Sequence, residues 1–343
     1  MGEGRIHVVL DTADPARPDA CAALRLAGPF SHPTVADAFD VSFGAALPPG
    51  RLDLLVMQRR GGVDHAPALV RSARERGARL LYDIDDNLLD PHPDPATERA
   101  LAPHRRTIRF LLREADLVTT STEALRGRVL RLARAVEVVP NALDERLLRP
   151  GPARPVRDGV RIGYFGTFTH LRDLMSVVGP VRAALSRMRQ PAAIVLLGIS
   201  GDKRLPALFE GFAPVELLPA TGDYRSFLDL MAERADWDIG LAPLASGAFE
   251  ASKSDVKYLD YAGLGIPGLY SAHPAYGSVE HGVTGMIARP DGWCEALTAL
   301  AEDPALRARI AASAREDLLA RRTLAASGPG RAALLHRMLG ATQ

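Results

Sequence analysis

The stretch Arg161-Ile162-Gly163-Tyr164-Phe165-Gly166-Thr167-Phe168-Thr169-His170 decides the fold, because it joins an apolar run to a hydroxyl-rich segment through a glycine. The apolar run is typical of a buried β-strand, and Gly166 lets the backbone turn and approach a ligand closely. Short apolar runs of this kind alternate with longer helical patterns along the whole chain. Strands joined by helical crossovers form a parallel sheet covered on both faces. The sequence therefore predicts an α/β fold with doubly wound sheets.

A Pro/Gly-rich segment at 149–155 interrupts the pattern, which then restarts. We expect an N-terminal domain over 1–148, a C-terminal domain over 158–315, and a helical tail over 316–343 that could pack back on the first domain. Two such domains facing a cleft would bind ligands at the carboxyl ends of their strands. The predicted strands are Ile6–Leu10, Phe39–Phe43, Leu52–Met57, Arg79–Tyr82, Leu117–Thr120, Val136–Val139, Arg161–Phe165, Ala193–Leu197, Val215–Leu218, Ile239–Ala242 and Gly268–Tyr270. The predicted first-domain helices are Ala20–Ala27, Ala66–Arg76, Thr97–Glu114 and Glu123–Ala133.

Composition excludes several classes of protein. The formal net charge of +1 gives no support to a general nucleic-acid binder. Cys21 and Cys294 fit no metal-ligand pattern, and no apolar stretch is long enough to span a bilayer. The Arg-rich stretch His104–Arg113 could touch an anionic membrane, but acids balance the domain, so a solvated face is favoured. Met1–Arg5 leads into a strand rather than a signal peptide, and a reduced cytoplasmic protein is the simplest interpretation.

Lysine is rare in this chain, with three lysines against 39 arginines, and two of the three lie close together at Lys253 and Lys257. If Ser252 caps a helix, Lys253 lies in the first turn, where free N–H groups, the helix dipole and an ammonium favour phosphate. The Ser254 N–H and hydroxyl would lie beside it. Lys253, Lys257 and Asp260 would then share one helix face. The alternative is a solvated helix start with two surface lysines.

The segment after the 161–165 strand also suits a phosphate-bearing ligand. Gly166 allows close backbone approach, Thr167 and His170 can form hydrogen bonds, and Arg172 adds positive potential. An ordinary strand-to-helix turn would have a similar sequence, so this segment alone does not separate the two interpretations.

Three further motifs do not require a catalytic interpretation. Gly263–Gly268 fits G-x-G-x-x-G, but it follows a helix and carries a proline, which predicts a helix stop and turn. In 276–285, Gly277 and Ser278 would begin a helix, and later glycines would mark a tight turn. Asp83-Ile84-Asp85-Asp86 ends a strand, where a structural role and a catalytic role are equally consistent with the sequence. Nucleophile-elbow, zinc-protease and Walker motifs are missing from the sequence.

These residues resemble the nucleotide-sugar glycosyltransferases of the two-Rossmann type (the GT-B fold), especially the large retaining family four. The segments that carry the resemblance are Val139–Asp144, Gly163–Gly166, Lys253–Pro267 and Glu280–Gly285, with Tyr82–Asp86 similar to a bacterial subset acting on polysaccharides and secondary metabolites. The resemblance implies transfer from a UDP-, GDP- or TDP-sugar to a small-molecule or lipid-linked sugar acceptor. It also implies retention of configuration, no metal and no other cofactor.

Site residues follow from the resemblance position by position. The family often has two glutamates separated by seven residues: Asp260 takes the place of the second, which binds the ribose, whereas Ser252 stands where the first would be. Lys253 becomes the main candidate for diphosphate. Asp83 or Asp85 occupies the place of a histidine near the reacting sugar, and either would be the base if the enzyme inverts. Two alternatives remain open: a sugar-nucleotide epimerase of the same fold, and a catalytically silent nucleotide-binding subunit.

Overall fold

A computed structural model of the chain describes residues 4–62, 64–149, 151, 157–199 and 204–340. Residues 1–3, and Pro150 and 152–156 of the predicted linker, lie outside the described residues. The chain divides into two compact units. Unit 1 contains the residues up to 146, the segment 252–254 and the residues from 322 onward, whereas unit 2 contains 147–251 and 255–321. The chain thus returns to unit 1 twice.

Unit 1 is built on a six-stranded parallel sheet in the order β2-β1-β3-β4-β5-β6. Its strands are β1 (Arg5–Val9), β2 (Asp40–Phe43), β3 (Leu54–Gln58), β4 (Arg79–Ile84), β5 (Leu117–Thr120) and β6 (Val136–Val138). Alternate side chains supply two separate cores, as expected for a sheet covered on both faces. The register pairs Gln58 with Asp83 and Asp83 with Thr119, so polar side chains meet at the carboxyl edge.

The helices of unit 1 cover both faces of this sheet. They are α1 (Ala20–Ala22), α2 (Gly28–Ser31), α3 (Pro33–Ala36), α4 (Ala66–Glu75), α5 (Pro95–Leu101), α6 (Arg105–Glu114), α7 (Glu123–Val129) and, numbered in chain order, α14 (Leu324–Leu339). A π-helical turn, Ala23–Ala27, joins α1 to α2, and 3₁₀ turns cover Ala102–His104 and Glu145–Leu147. The predicted helix over 97–114 is therefore divided, because Pro103 cannot donate the hydrogen bond that a continuous helix requires.

Unit 2 repeats the architecture with a parallel sheet in the order β12-β11-β10-β7-β8-β9. Its strands are β7 (Val160–Phe165), β8 (Ala192–Leu197), β9 (Val215–Leu218), β10 (Ile239–Ala242), β11 (Gly268–Ser271) and β12 (Met286–Ala288). The sequence did not predict β12, since three residues at a sheet edge are too short for an alternating pattern. The predicted fold class, two doubly wound Rossmann-like domains, is confirmed.

The helices of unit 2 are α8 (Leu171–Met175), α9 (Val178–Arg187), α10 (Tyr224–Arg234), α11 (Val256–Leu264), α12 (Trp293–Glu302) and α13 (Pro304–Arg321). Short 3₁₀ turns cover Phe168–His170, Leu205–Phe209, Glu250–Ser252, Pro274–Tyr276 and Pro290–Gly292. None of the helices in the described part of the chain combines the length and apolarity needed to cross a bilayer.

The C-terminal helix α14 packs into the core of unit 1 through Leu334, Leu335 and Met338. A Cβ added at Gly328 would lie 2.1 Å from the Thr34 Oγ1 of α3, whereas a Cβ at the exposed Gly330 would meet nothing within 4 Å. Two glycines in one helix therefore differ in whether they can accept a methyl group.

We predict that Gly328→Ala lowers the free energy of unfolding by about 1–3 kcal/mol, because it overpacks the contact with α3. Gly330→Ala should raise it by about 0.5–1 kcal/mol, because alanine favours an exposed helix interior. Calorimetric unfolding of the two variants beside the parent chain checks this. Equal effects of the two substitutions would contradict the packing of α14 on α3.

Candidate functional site

Ser252 does not cap α11, which begins at Val256. Lys253 lies in a non-helical segment before the helix, so the prediction that it occupies the first turn is wrong. Only Lys257 and Asp260 remain together on α11. The physical reason is that hydrogen bonds within unit 1 hold Ser252 and Ser254, so the α-helix does not begin until Val256.

Three contacts hold the 252–254 segment in unit 1. Thr122 Oγ1 donates to the Ser252 carbonyl (3.1 Å), and Asn141 Nδ2 donates to Ser254 Oγ (2.9 Å). Between these residues, Lys253 Nζ lies 3.5 Å from an oxygen of Asp86, with about a fifth of each side chain exposed. The carboxyl edge of the first sheet therefore presents a cation, and its carboxylate neighbour is Asp86 rather than either predicted acid.

Asp83 has a structural role instead of the catalytic one considered from sequence. Its two oxygens accept from Arg25 Nε (3.0 Å) and Nη2 (2.6 Å), and Thr119 Oγ1 donates to it as well (2.6 Å). Arg25 and Asp83 are each about 1% exposed. A base must be free to take a proton from a substrate, and a carboxylate locked in a buried ion pair is not. We therefore remove Asp83 from the catalytic candidates.

Asp85 is more accessible than Asp83 and pairs with Arg59 Nη1 (3.1 Å). Arg59 follows β3 with a φ of 48°, a left-handed conformation that non-glycine residues rarely adopt. The Tyr82 hydroxyl donates to the Arg59 carbonyl and helps to hold this conformation. Strained backbone of this kind often occurs at functional sites, so Asp85 remains the candidate base.

In unit 2, the glycine turn after β7 lies in close backbone contact with the end of β8. The Gly166 N–H donates to the Leu197 carbonyl (3.0 Å). A Cβ at Gly198 would lie 2.5 Å from the Gly166 carbonyl oxygen, and Gly198 has a φ of 85°, so both contact and conformation require glycine there. Thr167 and Thr169 are exposed, and their hydroxyls are 2.8 Å apart.

Lys257 points at this glycine turn. Its Nζ donates to the carbonyl of Phe165, the last residue of β7 (2.8 Å). The same Nζ lies 4.4 Å from the centroid of the Phe165 ring, a cation–π distance. Lys257 thus lies beside Gly166, although the sequence pattern favoured Lys253 as the phosphate-binding lysine.

Asp173 joins the loops that follow β7 and β10. This buried carboxylate accepts from the Ala245 N–H (2.9 Å) and lies 2.9 Å from His170 Nδ1. His170 is therefore held in place by an acid three residues later. Asp173 was not among the predicted site residues, because its position in a short helix gives no sequence signal.

Glu250 is a second residue that the sequence did not predict. Arg172 Nη1 donates to its Oε1 (3.2 Å), while the buried Oε2 has no hydrogen-bond partner among the described residues. Glu250 is 4% exposed, whereas more than half of the Arg172 side chain is exposed. The sequence did contain one signal for Glu250. The resembled family has a glutamate at the position of Ser252, and Glu250 is an acid only two residues earlier.

Asp260 lies inside the unit 2 core at 2% exposure and accepts from the Tyr224 hydroxyl (2.7 Å). Burial raises the pKa of Asp260 to about 7, and this rise is only partly offset by the Tyr224 hydrogen bond and the Lys257 charge. The side chain is an acid near the glycine turn, held by a tyrosine on α10.

The Gly263–Gly268 and 276–285 motifs can be compared with the structure. α11 ends at Leu264, and Gly265 has a φ of 67°, which confirms the predicted helix stop. The helix start predicted at Gly277 and Ser278 is wrong: a 3₁₀ turn ends there, and Ser278 Oγ donates to Asp255 (2.5 Å). The predicted tight turn is present, with the Gly282 N–H donating to the Gly285 carbonyl.

One group in the described residues combines metal-type ligands: His32, Asp144 and Glu145. His32 Nε2 lies 2.8 Å from Glu145, and Arg146 donates to both oxygens of Asp144 (2.8 and 2.6 Å). Each ligand thus already has a protein partner, and we assign no metal to this group.

Comparisons with known proteins identify the fold. No protein-family model matches the chain, and no curated protein matches its sequence. A sucrose-phosphate synthase from Thermosynechococcus elongatus superposes with a TM-score of 0.69 at 14% identity, over 99% of this chain and all of that chain. HepE of Anabaena, solved with UDP-glucose, gives a TM-score of 0.65 at 17% identity, over 98% and 100% of the two chains. An α,α-trehalose 6-phosphate synthase from Burkholderia multivorans gives 0.56 at 15%, over 87% and 74%.

The chain has the GT-B fold. At these identities the similarity shows the fold of this chain and nothing further. Its chemistry has to be argued from its own residues.

We predict that the stability of unit 2 falls as pH rises from 4 to 7, because folded Asp260 keeps a proton that the unfolded chain loses near pH 3.8. Asp260→Asn should remove up to about 4 kcal/mol of this pH dependence. Both tryptophans, Trp237 and Trp293, are buried in unit 2, so fluorescence during urea unfolding reports on it.

Tyr224→Phe serves as the matched variant for this measurement. It removes a hydrogen bond that lowers the pKa of Asp260, so the fall in stability should extend to higher pH. Identical pH profiles for the parent chain and Asp260→Asn would contradict the prediction.

Proposed function

We propose that this GT-B chain is a glycosyltransferase that moves a sugar from a nucleoside-diphosphate sugar to an acceptor hydroxyl or amine. The observation that carries the proposal is the Lys257 ammonium directed at the Gly166 turn, at the carboxyl end of β7. A close backbone turn beside a compact cation suits a diphosphate. The UDP-glucose bound by HepE, a protein of the same fold, supports the same ligand class.

The donor would be held largely by unit 2. The backbone N–H of Thr167, with Gly166 allowing close approach and with Lys257 and Arg172 as cations, would bind the diphosphate. In its protonated form, His170 would donate to the diphosphate from Nε2, because its Nδ1–H is already directed at Asp173. Arg172 would exchange its present partner Glu250 for a phosphate oxygen, which leaves the Glu250 carboxylate to accept from a hydroxyl of the donor sugar.

Three candidate residues from the family resemblance remain. Asp260 would accept from a ribose hydroxyl, for which the ligand must displace the Tyr224 hydroxyl that now holds this buried carboxyl. Lys253 is proposed as the cation that stabilises charge on the departing diphosphate, with the Ser254 N–H beside it. Lys253 now contacts Asp86 at 3.5 Å, so the ammonium would exchange a carboxylate for a phosphate.

The reaction would proceed without a protein nucleophile and without a metal. The bond from the sugar C1 to the phosphate oxygen breaks, and a bond from C1 to the acceptor oxygen or nitrogen forms on the same face. This same-face attack gives retention of configuration, and the departing phosphate takes the acceptor proton. If configuration is inverted instead, Asp85 is the base that we propose.

Binding is the first experiment. A thermal-shift screen of UDP, GDP and TDP and their sugars should raise the melting temperature with one nucleotide, because a ligand that binds only the native state stabilises it. Mass spectrometry of that donor with an acceptor panel then separates the alternatives. Donor isomerisation without transfer would indicate an epimerase, and binding without any turnover would indicate a silent subunit.

We predict that Lys253→Ala lowers kcat/KM for sugar transfer at least about 30-fold, which corresponds to about 2 kcal/mol of transition-state stabilisation. Lys257→Ala should mainly raise the dissociation constant of the nucleotide, because Lys257 lies at the binding turn. Arg187→Ala is the control, since Arg187 forms an exposed ion pair with Glu295. Unchanged turnover of Lys253→Ala would refute the catalytic role.

A further inference from the structure

Lys253 is held from both sides of its backbone by unit 1 residues that follow β5 and β6. The preceding carbonyl, of Ser252, accepts from Thr122, and the following side chain, Ser254, accepts from Asn141 at 2.9 Å. Asn141 is itself 4% exposed. The position of the Lys253 ammonium beside Asp86 therefore depends on where the Asn141 amide lies.

Arg25 determines which way that amide faces. Arg25 Nη1 donates to Asn141 Oδ1 (2.9 Å) and to the Val139 carbonyl (2.6 Å). A guanidinium has only donors, so the oxygen of the amide must face Arg25 and the NH₂ group must face Ser254. Asp83 fixes Arg25 in turn through two hydrogen bonds. The buried chain of contacts thus runs Asp83, Arg25, Asn141, Ser254.

We propose that Arg25 and Asn141 are positioning residues that hold Lys253 in place through Ser254. The catalytic consequence rests on the proposed function, whereas the placement of Lys253 does not. A buried, fully hydrogen-bonded network is rigid, and a displacement of about 1 Å at a reacting group can cost about 100-fold in rate. This role explains why unit 1 contains a buried arginine that touches no substrate itself.

The first test measures the reactivity of the Lys253 amine. The chain has three lysines, so acetylation by an amine-reactive ester can be followed at each by peptide mass spectrometry. Asn141→Ala should raise the acetylation rate of Lys253 at least about threefold relative to Lys257. Gly328→Ala is the matched control, because it disturbs unit 1 at Thr34 and leaves the network intact.

Arg25→Met would strand a buried Asp83 charge, so Asn141→Ala is the first variant. If Asn141→Ala does not fold, Ser254→Ala replaces it, with Ser254→Thr as the variant that keeps the hydroxyl. An unchanged Lys253 rate, or an equal rise in Gly328→Ala, would overturn the proposal. A rise in Asn141→Ala alone supports it even if no sugar transfer is found.

The second test uses turnover. Asn141→Ala should lower kcat about 10- to 100-fold in the parent chain, with little change in donor KM. In a Lys253→Ala background it should cause no further loss, because a residue that acts only through Lys253 has nothing left to position. Equal losses in both backgrounds would refute the positioning role.

The two proposals fail in different ways. If Lys253→Ala itself leaves turnover unchanged, the catalytic role of Lys253 fails, and the acetylation rates alone decide the positioning proposal.

Discussion

The carboxyl edge of unit 1 depends on one buried guanidinium. Arg25 contacts Asp83 on β4 and two groups that follow β6, the Val139 carbonyl and the Asn141 amide. A buried charge is tolerated only when it is paired and hydrogen-bonded, so the partners must stay where the rigid guanidinium requires them. Arg25 thus holds the chain that follows β6 in place. Asn141 in that segment holds Ser254, so the position of the 252–254 segment depends on Arg25 as well.

Unit 2 uses a buried acid for the corresponding task. Asp173 accepts from the Ala245 backbone and lies beside His170. These two contacts join the loops after β7 and β10. A carboxylate can accept several hydrogen bonds, so it suits a place where backbone N–H groups converge. Beside this junction, Lys257 donates to the Phe165 carbonyl and Arg172 donates to Glu250.

The fold could be predicted from the sequence further than the site could. Alternation of apolar runs and helical patterns depends on local chemistry, and eleven of the twelve described strands follow from it. The start of α11 could not be predicted, because Ser252 satisfies local capping rules that hydrogen bonds from Thr122 and Asn141 override. The structural role of Asp83 and the contact between Glu250 and Arg172 could not be predicted either. A carboxylate shows its partner, Arg25 or Arg172, only when the chain has folded.

Arginine and lysine make different kinds of contact in this chain, and the difference has a physical explanation. Arg25 and Arg105 each bind both oxygens of one carboxylate, a bidentate geometry that locks both partners. Lys253 lies 3.5 Å from Asp86, and Lys257 donates to the Phe165 carbonyl. An ammonium with three rotatable donors changes partner more easily than a planar fork does. Under the proposed function, a phosphate must replace such a partner in every catalytic cycle, and that exchange favours lysine in a chain otherwise built with arginine.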